Sequence, residues 1–215
     1  MFTFVVSCGD SFFDGTDLKD PAHAWPALIA YNLQKPYRCY AQGGVGNLHI
    51  LKQIIEARTK YGKNAVYLIN WTWIDRFDYI GVIDNTWHTA RPSLDDAEHD
   101  NLYYKHFHSE IDDKFRSLIY VSQAIELLAG HRYIMTYMDS LLLVTRWHTP
   151  LYIRALQNRV KDKLATFQGQ TFLEWSRSNH YAESERWHPL ESAHVAAKDY
   201  WLAKVKPIVI HGLDL

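Results

Sequence analysis

Two short runs constrain the fold of this chain more than any other feature. Residues 2–7 (FTFVVS) and 65–69 (AVYLI) are almost unbroken stretches of β-branched, aromatic and aliphatic residues. A strand with one wet face alternates polar and apolar side chains, so runs like these predict strands buried on both faces. Helical patterns separate them. Residues 25–33 carry Pro26 in the first turn, and residues 47–61 put Leu48, Leu51, Ile54 and Ile55 on one face before Gly62 closes the segment. Residues 37–41 and 132–137 read as further strands. Residues 109–128, capped by Ser109, read as an amphipathic helix, and residues 150–167 and 189–205 as two more. Residues 171–175 (TFLEW) read as a short fifth strand or a loop, and residues 70–108 as an elaborated loop with short helices. Strands alternating with helices imply right-handed crossovers and a parallel sheet covered on both sides. The expectation is one α/β domain over residues 1–215, a three-layer α/β/α sandwich.

Composition narrows the function classes. A formal net charge of −1 gives no long-range field toward nucleic acid or an anionic membrane. No apolar run approaches the ~20 residues that cross a bilayer. The start, MFTFVVSCGD, lacks a basic n-region and enters a strand at once, which predicts cytoplasmic synthesis without a secretory signal. Cys8 and Cys39 make no disulfide framework and read as two buried thiols. Aromatic residues reach 14%. Most of those rings are expected in the core, with some free to line a site where flat ligand faces stack.

In open parallel sheets, reactive groups gather at the carboxyl ends of the strands. Four polar or glycine-rich segments are expected there: Gly9-Asp10-Ser11, Gly43-Gly44-Val45-Gly46-Asn47, the stretch from Asn70 to Arg76, and the loop leading to His188. A serine hydroxyl becomes a useful nucleophile only beside a base, and histidine is the usual base near neutral pH. His188 stands just before Pro189 and a helix. Glu185, three residues earlier, can share its loop and orient its ring. Glu183 and Asp139 are reserve carboxylates, and Asp10 is expected to hold the nucleophile turn by hydrogen bonds. His106-Phe107-His108 has a spacing that suggests metal binding, but no Cys pair supports it, so no metal and no cofactor are expected. His194 is expected to pack or cap on the last helix. The glycine segment lacks the lysine of a phosphate loop.

These segments, in this order, resemble the conserved blocks of the GDSL, or SGNH, hydrolases. Gly9-Asp10-Ser11 with Gly15 resembles the first block. Gly43-Gly44-Val45-Gly46-Asn47 resembles the second, and Glu185-Arg186-Trp187-His188-Pro189 the last, Asp-x-x-His followed by proline. The resemblance implies a flavodoxin-like parallel sheet and a metal-free serine hydrolase. Its substrate would be a small acyl ester, plausibly an O-acetyl group on a glycan. Ser11 would be the nucleophile, His188 the base and Glu185 the acid, with the amides of Ser11 and Gly44 in the oxyanion hole. There are departures. The Gly-x-Asn-Asp of the third block is missing, so Thr72 is the expected third oxyanion donor and Asn70 a weaker substitute. Glu185 stands where aspartate is usual, and Phe13 where many members have a small polar residue. Trp71, Trp73 and Asn47 are expected to border the substrate. A Trp-Thr pair followed by Arg76 resembles phage-encoded members. That resemblance, with the lost asparagine, keeps open a catalytically weak glycan-binding or virion module, and an acyl transferase would use the same residues.

Overall fold

The computed structural model describes residues 2–92 and 98–211. Four parallel strands make the main sheet: β1 (Phe4–Cys8), β2 (Tyr37–Cys39), β3 (Ala65–Trp71) and β6 (Arg132–Tyr137), in the order β2-β1-β3-β6. Side chains of the two central strands alternate between two cores. Val5, Val66 and Leu68 enter one cluster, and Val6, Tyr67 and Ile69 the other. Every residue of β3 is buried, which explains why its sequence shows no polar alternation.

Helices α3 (Asn47–Tyr61), α5 (Glu110–Leu127) and α6 (Leu151–Val160) cover one face through Ile50, Ile54, Leu118, Val121 and Ile153. Helices α2 (Trp25–Asn32), α7 (Phe172–Ser178) and α8 (Glu191–His211) cover the other through Trp25, Ile29, Phe172 and Trp201. The expected three-layer α/β/α arrangement is therefore present. Much of the aromatic content is spent on the second face. Trp25 meets Phe13 edge-on at 4.8 Å, and Phe167 lies within 5.2 Å of Phe172, Trp175 and Trp201. Trp71 is also wholly buried, so it is a core residue and not a substrate contact.

Several local expectations fail. Residues 171–175 do not form a strand: Thr171 caps α7, its hydroxyl accepting from the Glu174 amide while the Glu174 carboxylate accepts from the Thr171 amide. A Thr-x-x-Glu start is a helix signal that outweighs the strand propensity of Thr-Phe-Leu. The 70–108 region also holds an antiparallel pair, β4 (Phe77–Ile80) and β5 (Trp87–Ala90), besides α4 (Glu98–His106). Cys8 is buried as expected, but Cys39 is exposed because β2 is a short edge strand.

Candidate active site

The chain leaves β1 through Gly9, whose amide donates to Gln53 Oε1 at 2.8 Å while its carbonyl accepts from Gln53 Nε2 at 3.2 Å. Asp10 then caps the short helix α1 (Ser11–Asp14), accepting from the Phe12 amide at 3.2 Å. Its carboxylate also accepts from Asn70 Nδ2 at 3.2 Å and Thr72 Oγ1 at 2.6 Å, and faces the Arg76 guanidinium at 3.7 Å. Asp10 is fully buried, and a carboxylate removed from water is costly unless hydrogen-bond donors replace the solvent. The result is a fixed turn that sets Ser11 on the first helical residue at the carboxyl end of the sheet.

His188 arrives from the other end of the chain. Its Nε2 lies 2.8 Å from Ser11 Oγ, and its ring stands edge-on to Phe12, centroids 4.9 Å apart. Its Nδ1 lies 2.7 Å from Asp17 Oδ2. The carboxylate on the imidazole is therefore Asp17, not Glu185. The reason lies in the turn before His188. Ser184 Oγ accepts from the amides of Arg186 and His188, and the Ser184 amide donates to the His188 carbonyl at 2.9 Å. That curl sends the Ser184 hydroxyl to Asp17 Oδ2 at 2.7 Å and turns Glu185 outward into solvent. Glu183 is held by Arg177 at 2.9 Å. Asp139 caps a turn, accepting from the amides of Leu141 and Ile74 at 2.9 and 3.0 Å. Neither reserve carboxylate contacts the imidazole.

Partial burial raises the Asp17 pKa, but hydrogen bonds with His188 and Ser184, and the charges of His188 and Arg186, outweigh it and hold it below the ordinary value. An ionised carboxylate only accepts, so Nδ1 of His188 carries the proton and Nε2 is left to accept from the Ser11 hydroxyl. Arg186 braces the far oxygen of Asp17 at 2.7 Å. Asp17 itself sits at φ +67°, a conformation that aspartate tolerates better than most residues. Gly15 makes that loop possible: it adopts φ +84°, and a Cβ there would lie 2.6 Å from Pro21 Cα. The sequence marks Gly15, but nothing in the string Thr16-Asp17-Leu18 distinguishes Asp17 from a solvated loop aspartate.

The second glycine segment lies beside the nucleophile. A Cβ on Gly43 would be 3.6 Å from Ser11 Cβ, and Gly44 has φ +82° with the Arg91 guanidinium over it. Among the described residues, the amides of Ser11 and Gly44 donate to no protein acceptor. The hairpin clamps this segment. Asp78 on β4 accepts from the amides of Gly46 and His49 at 2.8 Å each and from Thr89 Oγ1 on β5, and Arg76 donates to the Val45 carbonyl.

Thr72 and Asn47 do not take their expected roles. The Thr72 hydroxyl is committed to Asp10 and its amide to Asn47 Oδ1 at 2.9 Å, and the residue is buried. Asn70 is tied to Asp10 and accepts from Thr136 Oγ1 at 2.8 Å. Asn47 is buried too, and its amide nitrogen donates to the Thr72 carbonyl and Ser117 Oγ. These residues form a floor beneath the site. Trp73 alone of the expected substrate contacts stays half-exposed, against the cluster that holds Phe12.

This arrangement can be set beside known proteins. No family model matches the sequence, and no curated protein does. Solved structures do. TesA superposes with a TM-score of 0.53 at 15% identity, over 96% of this chain and 99% of that one. The acetyl xylan esterase Est2A from the rumen bacterium Butyrivibrio proteoclasticus gives 0.52 at 12% identity, over 97% of this chain and 64% of its own. A G-D-S-L family protein from Desulfitobacterium hafniense gives 0.51 at 12%, over 94% and 98%. The chain has the GDSL, or SGNH, hydrolase fold. It spans less than two thirds of Est2A but nearly all of TesA. Within that fold the Ser11–His188 contact joins the carboxyl end of the first strand to the turn before the last helix.

Proposed function

We propose that the protein is a serine esterase acting on a small acyl ester, most simply an acetyl ester on a carbohydrate. The observation that carries this reading is the single file of polar contacts Ser11–His188–Asp17, with the tautomer of His188 fixed by an ionised carboxylate. Ser11 Oγ attacks the ester carbonyl and passes its proton to His188 Nε2, while Asp17 stabilises the imidazolium. The negative charge on the carbonyl oxygen falls to the amides of Ser11 and Gly44. The tetrahedral intermediate collapses, the alcohol leaves with the proton from Nε2, and an acyl-serine remains. Water, deprotonated by the same imidazole, then releases the acid. The carbohydrate part of the reading is supported by a structural neighbour that is an acetyl xylan esterase.

The site lacks the third donor expected from Thr72. Loss of one such donor costs about 2.7–4 kcal/mol of transition-state stabilisation, so turnover is expected to be slow. That same observation favours a second reading, a glycan-binding module with residual hydrolysis. Purified protein incubated with p-nitrophenyl acetate separates the two: sustained release of nitrophenol that Ser11→Ala abolishes supports an esterase, and glycan binding without sustained release supports the binding module. Equal rates in parent and Ser11→Ala protein would remove Ser11 from the chemistry.

A further inference from the structure

Trp187 is the residue immediately before His188, and its side chain is 68% exposed. Exposure of one large apolar residue is ordinary by itself. Its backbone is not: Trp187 adopts φ +64°. The other non-glycine residues at positive φ among those described are Asp17, Gln34, Asn85, Gln168 and His180, and Trp187 is the bulkiest of the set; a bulky side chain there is an outlier. The Trp187 amide donates to the Ser184 carbonyl at 2.9 Å, and the next residue's carbonyl accepts from Ser184, so the turn demands this conformation. Glycine would satisfy that turn without strain. The indole does not serve the core either, because it is mostly in solvent. Strain retained at a functional site points to function.

The chemistry around the indole selects the ligand. Its chain neighbours Glu185 and Arg186 are exposed, the latter bracing Asp17. An acyl chain would want a continuous apolar trough. A groove of about 510 Å³ of that kind lies elsewhere, lined by Phe77, Tyr79, Leu102, Tyr103 and Phe107. In the hairpin register, Phe77 and Tyr79 alternate with Asp78, which accepts from the Gly46 amide, so that groove lies on the opposite face of the hairpin from Gly46, and neither Ser11 nor His188 lines it. One exposed flat aromatic face, next in sequence to the histidine on Ser11, matches a pyranose ring, whose C–H face stacks on the indole.

We propose that Trp187 is a specificity-determining residue that stacks a sugar ring of the substrate at the rim of the site. The inference rests on the esterase reading for the identity of the site and goes beyond it by naming the residue that binds the carbohydrate. Two measurements test it. Calorimetry of xylotetraose or cellotetraose with Ser11→Ala protein reads binding without chemistry; Trp187→Gly in that background is expected to weaken it about tenfold, and Trp187→Phe to restore most of it. The melting temperature of Trp187→Gly is expected to equal or exceed the parent's, because strain is relieved. In the active protein, the ratio of kcat/KM for partially acetylated xylo-oligosaccharides to that for p-nitrophenyl acetate is expected to fall by a similar factor, through KM. Unchanged sugar affinity in Trp187→Gly, equal losses on both esters, or a lowered melting temperature overturns the inference. Hydrolysis of p-nitrophenyl acetate without sugar binding sinks the Trp187 proposal and leaves the esterase standing. Trp187-dependent sugar binding with no hydrolysis does the reverse.

Discussion

The floor and the rim of the site are built on opposite principles. Beneath Ser11, Asp10, Asn47, Asn70, Thr72 and Thr136 are buried and satisfy one another. Above it, Asp17 and His188 are partly open, and Arg186 and Trp187 stand in solvent. The floor is a fully bonded network in a low-dielectric interior, where any missing partner leaves a costly orphan. The rim is a short turn whose groups can exchange contacts with water or substrate. Stability therefore resides in the floor and chemistry in the rim, although both contain an aspartate joined to the nucleophile helix.

Substitutions can break that contrast. The largest effect is expected for His188→Ala, which should lower kcat on p-nitrophenyl acetate by roughly 10⁶, while urea unfolding stays near that of the parent. Asp17→Asn should follow, losing about 10⁴ in kcat because the imidazole takes the wrong tautomer, again with little change in unfolding. Asp10→Ala reverses the pattern. It strips the acceptor from Asn70 Nδ2, Thr72 Oγ1 and Arg76, and should lower stability by about 3–5 kcal/mol in denaturant titrations.

A pH effect sharpens the same contrast. His194 lies on α8, is 2% exposed, and accepts from the Trp25 amide through Nδ1 at 3.0 Å. Burial pushes its pKa down from 6.5 to about 4, against smaller opposing contributions from Pro189 and Glu191. The unfolded chain therefore binds the extra proton first. The contribution of His194 is whole above pH 6.5 and is lost as pH falls toward 4, amounting to roughly 3 kcal/mol. Unfolding free energies at pH 7.5 and 4.5 should differ less in His194→Asn, which keeps an acceptor and cannot charge. An equal difference in the variant would assign the acid sensitivity to other groups.

How much of this was legible in the sequence depended on whether a residue's role was local. Buried strands announced themselves by unbroken apolar runs, and α5 by Ser109, whose hydroxyl does accept from the Asp112 amide. The Ser11–His188 contact was readable because each lies in its own recognisable segment. Asp17 was not, since its role depends on a loop folding back 171 residues from its partner. Glu185 was the natural choice by spacing, but Ser184 captures the turn and directs it away. Thr72 and Asn47 depart from their expected roles for a related reason: polar residues at strand ends look alike in sequence, whether they face a ligand or another buried amide. The hairpin leaves little sequence signal because Phe77–Ile80 and Trp87–Ala90 are short and surrounded by aspartate and histidine.

The most direct test of the Ser11–His188–Asp17 arrangement is the rate and site of labelling by a fluorophosphonate probe, read by peptide mass spectrometry. The account predicts a single adduct on the peptide containing Ser11, strongly slowed in Asp17→Asn and little changed in Glu185→Gln. An adduct at another residue, or labelling that depends on Glu185 and not on Asp17, would contradict it.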